Sequence, residues 1–71
     1  MKIYVKHPDN LKTDRIKRGY TQMEFAKKIG ISNVRLCQIE NEPMSVVGVH
    51  TANAIISFLK CEWGHIFEIR R

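Results

Sequence analysis

The sequence predicts an all-α fold, a compact bundle of about five short helices, because apolar residues recur at helical spacing from Leu11 to Leu59. Glycines and a proline divide this region into short segments, and a chain of 71 residues has room for one core. Only the ends, Lys2–Lys6 and Ile66–Arg70, are β-prone. Because a lone strand is unstable in water, short terminal strands would have to pair, within one chain or across a dimer.

The first predicted helix lies between a polar cap and a glycine. Asp9 or Asn10 is expected to cap its N-terminus, and the helix runs to about Arg18. Gly19 is expected to end it in the left-handed conformation, which glycine adopts without strain. The residues expected to face inward are Leu11 and Ile16, helped by Arg15.

Two capped helices joined by a glycine occupy the centre of the chain. Thr21 is predicted to cap a second helix over Gln22–Ile29, and Glu24 completes a capping box. Gly30 makes the turn, and Ser32 caps a third helix over Asn33–Asn41. The sequence therefore predicts a helix-turn-helix over residues 21–41, whose inward-facing residues are Phe25, Ala26, Ile29, Leu36 and Ile39.

The remaining third of the chain is predicted to close the bundle. Pro43 stops the third helix, and a loop over Met44–Val47 leads to Gly48. A fourth helix is expected over Val49–Lys60, with an apolar stripe of Ala52, Ile55, Ile56 and Leu59. A short closing helix or turn follows, and its bulky residues are Trp63, Ile66 and Phe67.

Composition points to a polyanionic partner. The net charge is +5, and most of the Lys and Arg residues fall in residues 1–35, whereas the C-terminal half is close to neutral. This asymmetry points to a polyanion, such as nucleic acid, facing the N-terminal half. No apolar run approaches the ~20 residues of a membrane span, and no signal-peptide pattern opens the chain. The expected location is therefore the cytoplasm, of a bacterium or of a phage-infected host cell.

Catalytic and metal-binding patterns are not found in the sequence. The two cysteines and three histidines do not occur at metal-ligand spacing, and two thiols make no disulfide framework. Paired carboxylates, a Cys/His pair and a phosphate-cradling glycine loop are also lacking. We therefore expect neither an enzyme nor a bound metal or cofactor.

Residues 21–32 read TQMEFAKKIGIS, followed by Leu36 and by Ile39-Glu40-Asn41. This pattern resembles the helix-turn-helix of the lambda-repressor-like family (Cro, phage repressors, XRE), and the resemblance runs from about Leu11 to Phe67. It implies that residues 1–71 form one DNA-binding domain. It also implies a buried ion pair between Arg15 and Glu40, for which the alternative is two ordinary surface charges.

The resemblance places the third helix in the major groove of duplex DNA. Asn33, Val34 and Gln38 are then the base-reading candidates, because Asn and Gln can pair with adenine and Val suits a thymine methyl. Arg35 lies next to them and is expected to contact either a base or a phosphate. Gln22 is expected to bond a phosphate and brace a base-reading side chain, or simply to begin its helix. The complete set of expected DNA-contacting residues is Gln22, Ser32, Asn33, Val34, Arg35, Gln38 and Asn41.

Two function classes follow. The first is a Cro-like or repressor-like transcription regulator of a phage or mobile element, binding an operator as a homodimer through its terminal strands or its last two helices, around Trp63 and Ile69. The second is an anti-repressor or modulator that binds another regulator through the same surface. Glu42-Pro43 replaces a glycine that is usual in the family, and the third helix is only modestly basic; both leave room for the second class. The sequence does not specify the operator or the direction of regulation.

Overall fold

A computed structural model describes residues 1–71, the whole chain. Its elements follow the order β1 (Lys2–Val5), α1 (Pro8–Lys17), α2 (Gln22–Ile29), α3 (Asn33–Asn41), β2 (Ser45–Val47), α4 (Val49–Leu59), α5 (Trp63–Ile66) and β3 (Phe67–Arg70). The five predicted helices are present. The all-α prediction is incomplete, however, because three short strands form an antiparallel sheet against the helices. None of the helices has the length and apolar character needed to cross a membrane.

The sheet has the order β2-β1-β3, with the N-terminal strand in the middle. β1 pairs with β3 so that Ile3 lies opposite Ile69 and Val5 opposite Phe67, which confirms the predicted pairing of the two ends, within one chain. β2 pairs with the other side of β1, with Ile3 opposite Val47. The prediction of a loop over Met44–Val47 was therefore wrong for Ser45–Val47, while Met44 does lie in a turn. A three-residue strand shows too little alternation to be recognised, and it exists only because β1 supplies its partner.

The first helix differs from the prediction at both its cap and its inward face. It begins at Pro8 after His7, and neither Asp9 nor Asn10 caps it. Proline suits this first position because its φ is already helical and its missing N–H would be unpaired there. Leu11 and Arg15 are buried, but Ile16 is 57 % exposed, contrary to the prediction. A residue one step from Arg15 on a helix is turned by about 100°, which carries its side chain away from the core.

The caps and turn of the central helices are confirmed. Thr21 and Glu24 form the reciprocal capping box, and the Ser32 hydroxyl accepts the Arg35 N–H. Gly30 takes the left-handed conformation with φ of 79°. α4 ends one residue earlier than predicted, because Lys60 is itself left-handed. The apolar core joins all the elements and comprises Ile3, Val5, Leu11, Phe25, Ala26, Ile29, Leu36, Ile39, Val47, Ala52, Ile55, Leu59, Ile66 and Phe67.

Candidate nucleic-acid interface

One face of α3 packs on the protein and the opposite face is open. At about 100° per residue, the buried Leu36, Ile39 and Glu40 fall on one side of the helix. The side chains on the other side are all exposed: Asn33, Val34, Cys37, Gln38 and Asn41. We call these five residues the open face of α3. It contains no acidic residue, and it presents amide, thiol and aliphatic groups in one continuous strip.

All three predicted base-reading residues, Asn33, Val34 and Gln38, lie on this open face. Asn33 and Val34 are in the first turn, and Val34 is 79 % exposed, which is unusual for an aliphatic side chain. Asn41 is less available, since its Nδ2 donates back along the helix to the Cys37 carbonyl oxygen at 2.8 Å. Cys37 lies in the same strip; the sequence predicts it as a small filler beside the groove, or with Val34 as part of a protein interface in the second function class. Its position in the strip, one turn after Asn33 and one turn before Asn41, could have been found from helical spacing alone.

Arg35 lies at the flank of the open face and is already engaged. Its Nη1 donates to Gln38 Oε1 at 2.7 Å, and its Nη2 donates to the Val46 carbonyl oxygen of β2 at 2.5 Å. Arg35 therefore connects the open face of α3 to the sheet. The prediction that Arg35 contacts a base or a phosphate is untested, but in this structure two nitrogens of its guanidinium bind protein groups.

A buried ion pair links α1 to α3 behind the open face. Arg15 Nε donates to Glu40 Oε2 at 2.7 Å and its Nη2 to Glu40 Oε1 at 3.2 Å, a two-pronged contact. The two side chains are only 7 % and 1 % exposed. A third bond, from Arg15 Nη1 to the Tyr20 carbonyl oxygen at 2.8 Å, satisfies another guanidinium donor. The pair expected from the resemblance is thus present, with its charges compensated and each guanidinium nitrogen hydrogen-bonded.

Gln22 is joined to this ion pair. Its Nε2 donates to Glu40 Oε1 at 3.3 Å, so the side chain of the first residue of α2 reaches across to the end of α3. The Thr21 side chain accepts the Glu24 N–H, and the Thr21 carbonyl accepts that of Phe25. The first N–H groups of a helix have no partner inside it, so those of Gln22 and Met23 face outward, available to an anion.

The charges around the two helix starts are of both signs. Lys27 and Lys28 are exposed in the last turn of α2. Two acidic groups are also exposed, Glu24 in the first turn of α2 and Glu42 just after α3. Hydrogen bonds with Thr21 lower the pKa of Glu24, so this carboxylate is charged at neutral pH. These two lysines and two carboxylates balance, so attraction of a polyanion depends on the other basic residues of the N-terminal half.

Nothing in the structure resembles a metal centre. No three His, Cys, Asp or Glu side chains lie close enough together to hold an ion. Both cysteines are free thiols, with Cys37 exposed and Cys61 half-buried. Burial raises the pKa of the Cys61 thiol, which keeps it protonated at neutral pH.

Comparison with protein families identifies a match over most of the chain. A family model described as helix-turn-helix, of the Cro/C1 type, matches residues 11–66. The matched segment begins inside α1 and ends with α5, so it contains α2 and α3 and leaves β1 and β3 outside. No curated protein matches the chain at a significant level.

Proposed function

The chain belongs to the Cro/C1-type helix-turn-helix family, the XRE family of DNA-binding regulators, and from that membership we propose that it is a Cro-like or repressor-like regulator of a phage or mobile element. In this proposal residues 1–71 act as one DNA-binding domain. α3 enters the major groove of an operator, where base edges differ for all four base pairs. Two copies of the chain bind the two half-sites.

The observation that carries this proposal is the open face of α3. An exposed helix strip with amides at Asn33 and Gln38 and a bare aliphatic group at Val34 suits the donors, acceptors and methyl groups of the major groove. The opposite side of the same helix is fully committed to the core and to the ion pair. The helix is therefore held rigidly while its open face remains free for a partner.

Gln22 and the start of α2 support the same orientation. The outward N–H groups of Gln22 and Met23, with the positive end of the helix dipole, favour a phosphate there. The Gln22 side chain is already held by Glu40. In the proposed complex it bonds a phosphate from that position, at a small cost in side-chain entropy. Ser32 and Asn41 lie at the two ends of α3, close to where the backbone would pass on either side.

The proposed dimer uses β3. This strand is an edge of the sheet, since only β1 pairs with it, and Ile69 on it is 50 % exposed. An unpaired edge with an exposed apolar side chain favours pairing with a second copy. The opposite edge is less available, because Arg35 already donates to the Val46 carbonyl of β2.

The test is a salt-dependent binding measurement with duplex DNA from the neighbourhood of the protein's own gene. We expect one site to bind far more tightly than mixed-sequence duplex of equal length. Asn33→Ala and Gln38→Ala should each weaken that site by about 1–3 kcal/mol and relax the choice of base at one position. Gln22→Ala should weaken all sequences about equally, since a phosphate carries no sequence information.

Asn53→Ala is the matched control, because Asn53 is an exposed amide on α4 and should leave binding unchanged. Circular dichroism of each variant checks that the fold is retained. If binding is weak, equal for all sequences and abolished by moderate salt, the operator-binding proposal is wrong.

One set of observations favours a second candidate, an anti-repressor or modulator that binds another regulator. Arg35 is the only basic residue in α3, and its guanidinium is tied to Gln38 and Val46. Val34 is widely exposed, and the acidic Glu42 follows the helix. A surface of this kind can serve a protein partner. This candidate predicts no site-specific DNA binding, together with a stable complex with a regulator encoded nearby that Val34→Asp disrupts and Asn53→Asp does not.

A further inference from the structure

We propose that Arg35 is a positioning residue that sets the base read by Gln38, by turning the Gln38 amide so that its nitrogen faces the groove and selects guanine. The inference rests on the proposed operator binding and specifies one part of it. It also gives Arg35 a role other than direct contact with DNA. The role follows from two hydrogen bonds and from the chemistry of the groups that make them.

The orientation of the Gln38 amide follows from its partner. A guanidinium has five N–H donors and no acceptor, so only the oxygen of an amide can face it. Arg35 Nη1 lies 2.7 Å from Gln38 Oε1, a short charge-assisted hydrogen bond. The Gln38 Nε2 group must then point away from Arg35. The usual ambiguity between the oxygen and the nitrogen of a glutamine amide does not arise here.

Arg35 is itself fixed at a second point. Its Nη2 donates to the Val46 carbonyl oxygen at 2.5 Å, and its backbone N–H donates to the Ser32 hydroxyl at 3.0 Å. Two nitrogens of the planar guanidinium are bonded to groups on two different elements, α3 and β2. These two bonds fix the plane of the guanidinium. Lysine cannot reproduce this arrangement, because an ammonium is a point charge without a fixed plane.

The fixed amide changes the base that Gln38 can pair with. The common pairing of glutamine with adenine needs Oε1 to accept from the adenine amino group while Nε2 donates to N7. Here a positively charged donor uses one of the two lone pairs of Oε1, and its charge disfavours a second donor on the same oxygen, such as that amino group. The free Nε2 can donate to N7 and O6 of guanine, which are both acceptors. Thymine offers only O4, so guanine is the expected base.

The experiment selects duplexes from a randomised DNA pool with the wild-type chain, with four single variants and with one double variant. Gln38→Ala identifies the base pair that depends on Gln38. Arg35→Met and Arg35→Lys test the guanidinium, and Lys2→Met, an exposed residue of β1, is the control for loss of one positive charge. The readout is the ratio of affinities for duplexes that differ at that single base pair. This ratio does not depend on the fraction of protein that is folded.

We expect the wild-type chain and Lys2→Met to prefer guanine at that base pair by about fivefold or more, the discrimination typical of a paired base contact. Arg35→Met and Arg35→Lys should both lose this preference or change it to adenine, and preferences at other base pairs should remain. In the Arg35→Met/Gln38→Ala double variant, the base preference should equal that of Gln38→Ala, because Arg35 acts through Gln38.

Three outcomes overturn the inference alone: adenine preferred by the wild-type chain at this base pair, an unchanged guanine preference in Arg35→Met, or an unchanged preference in Arg35→Lys. Each of these outcomes is compatible with sequence preferences at the other base pairs, so the proposed operator binding would stand. A wild-type chain that enriches no sequence overturns both the inference and the proposed function.

Discussion

The helix-turn-helix and the three-stranded sheet are held together by different kinds of contact. α2 and α3 each begin with a side-chain cap, from Thr21 and Ser32, and the turn between them is made by Gly30. All of these contacts span only a few residues of sequence. The sheet joins the two ends of the chain and a short segment from its middle, and its strands are three or four residues long.

The difference shows how a small domain can hold an exposed helix in a fixed orientation. Local caps and a glycine turn specify the angle between α2 and α3, but they do not anchor the pair to the rest of the protein. The shared apolar core anchors the pair, and two long-range polar contacts fix it further: the Arg15–Glu40 pair to α1, and the Arg35 bond to Val46 of β2. The orientation of the open face of α3 therefore depends on parts of the chain that lie outside the motif.

The largest expected effect comes from breaking the buried anchor. Glu40→Ala leaves the Arg15 guanidinium buried without its partner, and we expect a loss of about 3–5 kcal/mol in the free energy of unfolding. Urea denaturation followed by circular dichroism measures it. The double variant Arg15→Met/Glu40→Leu removes both charges and should regain most of the loss. A loss under about 1 kcal/mol in Glu40→Ala would mean that water or another group replaces the carboxylate.

The sheet is the next test, through its central strand. Ile3 is 3 % exposed and lies between Val47 and Ile69, so Ile3→Ala should cost about 2–5 kcal/mol through lost burial and a cavity. Val46, also in the sheet, is 46 % exposed, so Val46→Ala should lower the free energy of unfolding much less. We also expect Trp63 fluorescence and circular dichroism to report one common transition. Separate transitions would show that the sheet and the helices unfold independently.

The local contacts should each contribute less. Thr21→Ala and Ser32→Ala remove one cap each, and about 1 kcal/mol is expected for either change. Thr13→Ala, in the middle of α1 and exposed, is the control and should remain within about 0.5 kcal/mol of the wild-type chain. Thermal unfolding distinguishes these values. Cap variants as damaging as Ile3→Ala would contradict the division into local and long-range contacts.

The smallest expected effect is a loss of stability in acid. Hydrogen bonds with Thr21 lower the pKa of Glu24, and those with Arg70 and Lys6 lower the pKa of Glu68. As the pH falls, the unfolded chain therefore binds protons at these two carboxylates before the folded chain does. The stabilisation is present above the ordinary carboxyl value of 4.5 and is lost as the pH falls through the lower folded values.

Urea midpoints measured between neutral pH and pH 3 should show this decline. The double variant Glu24→Gln/Glu68→Gln should decline less steeply over the same range. Equal slopes for the variant and the wild-type chain would assign the acid sensitivity to other carboxylates.

The sequence predicts which residues of α3 are exposed, but it does not predict the hydrogen bonds that join them to the rest of the protein. The exposed positions of α3 result from helical spacing, so Asn33, Val34 and Gln38 could be placed on one face without a structure, and Cys37 by the same reasoning. The bonds from Gln22 to Glu40 and from Arg35 to Val46 could not, because each joins segments whose distance is set by packing. Arg35 is the clearest case: sequence suggests a DNA contact, whereas the structure engages it with Gln38 and β2.

By itself, the sequence determined the helices that carry their own signals: the Thr21–Glu24 box, the Gly30 turn and the Ser32 cap. Such contacts act within one turn of helix, so the order of residues is sufficient to specify them. Only the tertiary structure decided that Ser45–Val47 is a strand, that Ile16 faces solvent, and that Arg35 holds an amide. These outcomes depend on groups distant in sequence, and a short strand or a buried charge is stable only where its partner lies.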